Sequence, residues 1–294
     1  MCSNLLGGCR GTTGPSSIDP ATGRPYGLRF PLFTVRDLVA VHRALARHLG
    51  IDRFATAMGG SLGGMQALQW AMDAPAELDS AILLCASARL SAQNIAFSAV
   101  ARQAIMSDPD FRGGDYQDAG VRPDRGLAVA RMMAHITYLS QESMRRRFGR
   151  RLQNGEVPAF GFDVDFQVES YLQHQGESFL KRFDANTYLY LTRVMDYFDP
   201  FADAAAVASA LAGSPPRFLV VSFDTDWRFD TQHSLEIVRT LAAHDVPVSF
   251  REIPSPHGHD SFLLTVPEYH RTVAAFLDRV RDEGGTPAPA PIAG

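Results

Sequence analysis

Cysteine is scarce in this chain: of 294 residues only Cys2, Cys9 and Cys85 carry a thiol. An odd, sparse set without metal-ligand spacing excludes a disulfide framework and a zinc site, and predicts a reducing cytoplasm and no metal. No apolar run approaches the length of a membrane span. Leu6-Gly-Gly-Cys9 has the outline of a lipoprotein cleavage box, yet the five residues before Leu6 leave no room for a signal peptide's basic and apolar regions. A strong charge of either sign is also lacking. The formal net charge of −4 leaves no footprint for nucleic acid or a membrane surface. The local exception is Arg145, Arg146 and Arg147 with Arg150 and Arg151, which is either a solvated helix face or a phosphate contact for a nucleotide-bearing substrate. Hydrophobic residues make up 46% of the chain, enough at this length for one large core with an insertion.

Glycine, by contrast, crowds around one serine. Residues 59–66 read Gly-Gly-Ser-Leu-Gly-Gly-Met-Gln, after an apolar run at 54–58 that reads as a strand and before a helical stretch at 67–72. A G-x-S-x-G at a strand-to-helix turn is the nucleophile elbow of an α/β-hydrolase fold, in which glycines relieve crowding around a strained central residue. Ser61 is therefore the candidate nucleophile, and the N–H of Leu62 a candidate oxyanion donor.

In that fold the acid and the base follow the nucleophile in chain order, each at the end of a late strand. Residues 218–223 read as a buried parallel strand ending at Asp224-Thr-Asp226. Residues 246–253 read as the next strand, leading to His257-Gly-His259-Asp260. Asp224 and Asp226 compete for the acid role, and His257 and His259 for the base. Each alone would suit a solvated loop; their joint placement points to a triad.

Residues 34–50 read as an amphipathic helix with Thr34 as N-cap and Gly50 as its stop, and 80–85 as a strand. The β-α-β-α-β order predicts a doubly wound, mostly parallel sheet. Strand patterning then disappears, replaced by helical stretches around 95–106, 126–138 and 184–195. The expected organisation is a hydrolase core over 1–95, a helical lid over 96–210, a second part of the core over 211–282 with a closing helix near 266–281, and a disordered tail over 283–294. Only sixty residues precede Ser61, and 5–31 are loop-like, so the chain is expected to begin inside the fold, with its first strands missing.

Several blocks are more specific than the elbow: residues 4–17 (Asn-Leu-Leu-Gly-Gly-Cys-Arg-Gly-Thr-Thr-Gly-Pro-Ser-Ser), Ser91-Ala-Gln-Asn-Ile-Ala-Phe97, Ala130-Arg131, His135-Ile-Thr-Tyr138, Phe183-Asp-Ala-Asn-Thr-Tyr188 and Gly258-His259-Asp260. Together they resemble the homoserine O-acyltransferases of the α/β-hydrolase fold. The resemblance implies acyl transfer from acyl-CoA to the γ-hydroxyl of L-homoserine in methionine biosynthesis, without a bound cofactor, by a cytoplasmic homodimer. It implies Ser61 as nucleophile, Asp226 as acid, His259 as base, Arg131 for the homoserine carboxylate and Asp260 for its amine. Where acetyl-CoA users of the family resemble Asp-x-Leu-Phe, this chain has Asp226-Trp-Arg228-Phe229. A guanidinium there is costly beside an acetyl methyl but can pair with a succinyl carboxylate, so Arg228 favours succinyl-CoA over acetyl-CoA. An esterase or thioesterase of the same fold, and an inactive fragment, are the alternatives.

Overall fold

The computed structural model describes residues 1–284. Helix α1 (Val35–His48) begins at a reciprocal cap: the Asp37 N–H donates to Thr34 Oγ1 and the Thr34 N–H to the Asp37 carboxylate. Strand β1 (Ala57–Gly60) leads through Ser61 into α2 (Leu62–Asp73), and β2 (Ser80–Leu84) follows. Six helices then intervene before the next strand: α3 (Ala92–Met106), α4 (Asp124–Tyr138), α5 (Gln141–Arg147), α6 (Gln167–Leu180), α7 (Ala185–Asp196) and α8 (Ala204–Leu211). The chain closes with β3 (Arg217–Phe223), α9 (Thr231–Ala242), β4 (Val248–Ile253) and α10 (Pro267–Gly284).

Among the described residues the sheet has four strands, all parallel, in the order β1-β2-β3-β4. Side chains alternate across it. Ala81, Leu83, Phe218 and Val220 pack with Leu38, Met65, Leu68, Ile237 and Leu241 of α1, α2 and α9. Ile82, Leu84, Leu219, Val221 and Phe223 face the other way, onto Tyr269 of α10. Both faces are thus covered, which is why these strands read as unbroken apolar runs. A separate cluster, with Ile105, Leu127, Phe179 and Leu189, holds α3, α4, α6 and α7 to one another.

Four expectations shift in detail. The strand expected at 54–58 forms at Ala57–Gly60, where Gly59 and Gly60 pair with Leu83 and Leu84 instead of belonging to the turn. A Cβ on Gly59 would lie 2.2 Å from the Gly63 carbonyl carbon, so only glycine lets β1 run up to the elbow. The strand expected from 246 starts at Val248, because Pro247 has no N–H for a ladder. The boundaries expected at 95/96 and 210/211 fall inside α3 and one residue before the end of α8. Of the tail expected from 283, Glu283 and Gly284 finish α10, and 285–294 lie outside the described residues.

Replacing Thr34 with Ala should lower unfolding stability by about 1 kcal/mol, the usual value of such a cap. Gly59→Ala should cost about 3 kcal/mol, since a methyl group is driven into backbone. Urea midpoints of the two variants would separate these; equal shifts would mean that the elbow tolerates a Cβ.

Candidate active site

A parallel sheet places the loops after its strands along one edge, and here those loops carry every candidate of the elbow, acid and base. Ser61 follows β1 with φ 54° and ψ −122°, a conformation that costs roughly 1–3 kcal/mol and must be held by its surroundings. The Ser61 N–H donates to the Leu84 carbonyl (2.9 Å), and its own carbonyl accepts from Met65 (3.1 Å). Leu62 opens α2, so its N–H is one of the amides that no helix carbonyl can accept.

The rival acids and bases part company in space. His259 and Asp226 are joined by a 2.7 Å hydrogen bond between Nδ1 and Oδ2, and both are buried. Asp226 Oδ1 also accepts the N–H groups of Arg228 (3.0 Å) and Phe229 (2.9 Å). A carboxylate at Nδ1 selects the tautomer whose Nε2 is free to take a proton. Asp224 is exposed and accepts the Ser255 N–H (2.9 Å); His257 is half-buried and meets no carboxylate among the described ion pairs. The His259 ring stacks on Phe229 at 4.9 Å, with Phe262 at 5.6 Å and Tyr138 at 5.8 Å. The Phe262 ring abuts Gly60, which brings the end of β1 to the same cluster. Among the described residues no hydrogen bond joins Ser61 Oγ to His259; nucleophile–base bonds commonly tighten only as substrate settles.

Cys85, just past β2, was not anticipated as a site residue. Its sulfur lies within 4.8 Å of ligand atoms of Asp226 and His259. Burial, and then the charge of Asp226, raise the thiol well above its ordinary pKa, so it stays protonated and can donate to the carboxylate.

Arg131 lies on α4 with its guanidinium 4.6 Å from the Phe179 ring centroid and 5.8 Å from that of Tyr138. Its Nε is buried and has no partner, and among the described ion pairs it meets no carboxylate. Asp260 has its carboxyl raised by burial, against the opposing pull of His259 and Arg131. Arg228 is half-buried and turns inward: Nη1 donates to Thr137 Oγ1 (2.5 Å), and the guanidinium sits 5.5 Å from the Tyr138 centroid. The Arg228 carbonyl accepts from Asn94 Nδ2 (2.7 Å), and the Trp227 indole N–H donates to the Leu139 carbonyl (3.0 Å). Tyr138, Thr137 and Asn94 thus organise the site without having been singled out for roles; their signal was their place in the blocks of family resemblance. At the corner after α4, Gly258 (φ +71°) lets the base loop touch α4 and α5: a Cβ there would stand 2.6 Å from the Ser140 nitrogen.

A family model described as the alpha/beta hydrolase fold matches residues 1–265. The homoserine O-succinyltransferase of Magnetococcus marinus is 58% identical over 285 residues, which span 95% of this chain and 72% of that protein. This chain belongs to the homoserine O-acyltransferase family. A relative named homoserine O-acetyltransferase, from Rhodospirillum rubrum, is 54% identical over 98% of this chain and 74% of its own length. Among solved structures, a homoserine O-acetyltransferase from Bacillus anthracis superposes with a TM-score of 0.79 at 24% identity, covering 95% of this chain and 72% of that one; it speaks for the fold alone. A mutant of esterase E22 reaches 0.80 at 27% identity, over 90% and 72% of the two chains.

In this family member His135 of α4 gives a pH signature. Burial first, and then the charges of Arg131, Arg182 and Arg147, depress it from 6.5 to about 4. Between those values the unfolded chain binds a proton that the native state refuses, so the stability His135 contributes is complete above pH 6.5 and declines as pH falls toward 4. His135→Phe should flatten that decline in urea midpoints between pH 7 and 5; an unchanged slope would assign the acid sensitivity elsewhere.

Proposed function

We propose that this protein transfers a succinyl group from succinyl-CoA to the γ-hydroxyl of L-homoserine, a step of methionine biosynthesis, by a ping-pong mechanism. His259, oriented by Asp226, takes the Ser61 proton at Nε2 as Oγ attacks the thioester carbonyl. The Leu62 N–H faces the developing oxyanion. The tetrahedral intermediate collapses, and CoA leaves with the proton from His259. The homoserine hydroxyl then gives its proton to His259 and attacks the acyl-enzyme; the second collapse releases O-succinylhomoserine and returns the proton to Ser61. The helices over the sheet edge act as a lid that keeps water from the acyl-enzyme. CoA enters as co-substrate, and no bound cofactor or metal is required. A cytoplasmic homodimer completes the proposal.

The observation that carries this reading is a pair of guanidiniums around Tyr138, Arg131 and Arg228, neither with a carboxylate partner among the described ion pairs. Homoserine and a succinyl donor bring two carboxylates between them, one for Arg131 and one for Arg228, and Asp260 suits the homoserine ammonium. Most of the relatives are named for succinyl transfer and some for acetyl transfer, and Arg228 supports the succinyl donor from the side of this chain's own residues. The likeness to esterase E22 supports a second reading, simple hydrolysis, which predicts thioester cleavage undiminished when homoserine is left out.

Ser61→Ala should abolish transfer while leaving the thermal transition in place, and labelled acyl groups should be trapped on Ser61 in the native enzyme; label on another residue would overturn the mechanism. Asp226→Asn should lower kcat by about 10³–10⁴-fold, as expected when the base loses its orienting acid, with Asp224→Asn within about threefold of the parent. Equal losses would mean that the acid is misassigned.

Arg228→Leu should reduce kcat/KM for succinyl-CoA by about 2 to 4 kcal/mol of transition-state binding. The same change should leave acetyl-CoA use equal or better, because an unpaired cation is removed from beside a methyl group. Both donors measured on both proteins give a double difference; an unaltered preference would return acetyl-CoA to first place.

A further inference from the structure

Two clefts run from the catalytic loops to the surface, on either side of Leu139, and their charges are opposite. The first, about 820 Å³, is bordered by Asp224, Asp226, Asp230 and Glu142. The second, about 390 Å³, lies between α5 and the loop that carries the base; Asp260 lines it beside His259, Pro256 and Leu264 give it apolar walls, and Arg146 and Arg147 line the α5 side. The wall between loop and helix is fixed, because Ser140, the N-cap of α5, donates its hydroxyl to the Pro256 carbonyl.

The arginines come from the segment that stands out in the sequence. Residues 141–151 carry five arginines and one glutamate in a chain whose net charge is −4. Glu142 engages Arg145 and Arg146. Arg147 has no carboxylate partner among the described ion pairs, yet its guanidinium is held, 4.9 Å from the Tyr171 ring centroid and 5.3 Å from that of Phe148. An exposed cation pinned over two rings keeps its donors toward solvent at little further entropy cost.

Resting on the acyl-CoA reading above, the geometry points to this second cleft as the seat of the CoA moiety, with Arg147 and Arg146 receiving its phosphates. The thioester lies at Ser61, and the pantetheine arm separates it from the nucleotide, so the phosphates must fall at a rim and the arm along apolar walls. A polyanion is repelled by the aspartate-lined cleft and attracted by the arginine-lined one. A third cavity also holds cations, Arg10, Arg122, Lys181 and Arg182, but none of residues 256–260 around the base lines it, whereas Pro256, His257 and Asp260 line the second cleft.

The test compares the parent with an Arg146→Gln/Arg147→Gln variant and a charge-keeping Arg146→Lys/Arg147→Lys variant, each checked by thermal melting. Desulfo-CoA affinity, read by calorimetry, should fall about tenfold in the Gln pair and less in the Lys pair, and the loss should shrink as salt is raised. The KM for acyl-CoA should rise with it, whereas the KM for the matching acyl-pantetheine, which lacks the nucleotide phosphates, should change less than twofold. Equal losses for both donors, or a tenfold loss in Lys181→Gln/Arg182→Gln and none in the Arg146/Arg147 variants, would overturn the assignment. Desulfo-CoA binding needs neither homoserine nor turnover. A parent without homoserine transfer that binds desulfo-CoA through these arginines would remove the acyltransferase reading and keep the cleft; transfer with binding indifferent to them would do the reverse.

Discussion

The Asp226 carboxylate is buried and sits among three hydrogen-bond donors: the His259 ring at 2.7 Å and the backbone N–H groups of Arg228 and Phe229 at 3.0 and 2.9 Å. Left unpaired, a charge at that depth would cost several kcal/mol, so the loops after β3 and β4 must hold one shape together. Thr225 reinforces the pairing, donating to the Ser255 carbonyl and accepting from the Gly258 N–H. The helices between β2 and β3 are tied to the same loop through Asn94 and Trp227. One buried acid therefore orients the base, shapes the turn bearing Arg228 and anchors the helices that cover it.

Around that anchor the labour divides by layer. The sheet edge supplies Ser61 directly after β1, and Asp226 and His259 from the hydrogen-bonded loops after β3 and β4, where a reacting atom needs to be placed within fractions of an ångström. The helices supply Arg131, Tyr138 and the α5 arginines, groups suited to recognition. Tyr138 stands where the two meet, with His259, Arg131 and Arg228 all within 6 Å of its ring. Its aromatic face stabilises two cations that would otherwise repel each other in a partly dry site.

What could be read in the sequence followed local rules. The elbow was legible because its glycines and its strand–helix setting are contiguous, and the cap of α1 because Thr34 immediately precedes the amphipathic run; the reciprocal bond from Asp37 is added by the structure. Helix α6 was not, since its apolar positions are interrupted by polar residues and Gly176; it is stabilised by packing, with Gly176 lying close to Ala128 of α4. Asp224 and Asp226 could not be told apart by spacing, nor His257 from His259, as each pair is two residues apart in a loop. Arg131 and Asp260 emerged only through family resemblance, because an arginine on a helix and an acid in a loop have no local mark of function.

The sequence by itself determined the parallel sheet, the serine at its elbow and the chain order of acid and base, because β-branched runs, glycine placement and strand ends are local properties that act over a few residues. Only the tertiary structure decided which acid meets which imidazole and that Arg228 turns inward onto Tyr138. It alone placed an uncharged thiol beside the triad acid and set α5 against the base loop. Those outcomes depend on burial and on contacts between segments distant in the chain, such as Arg228 with Thr137, where the cost of desolvating a charge selects the one arrangement that satisfies it.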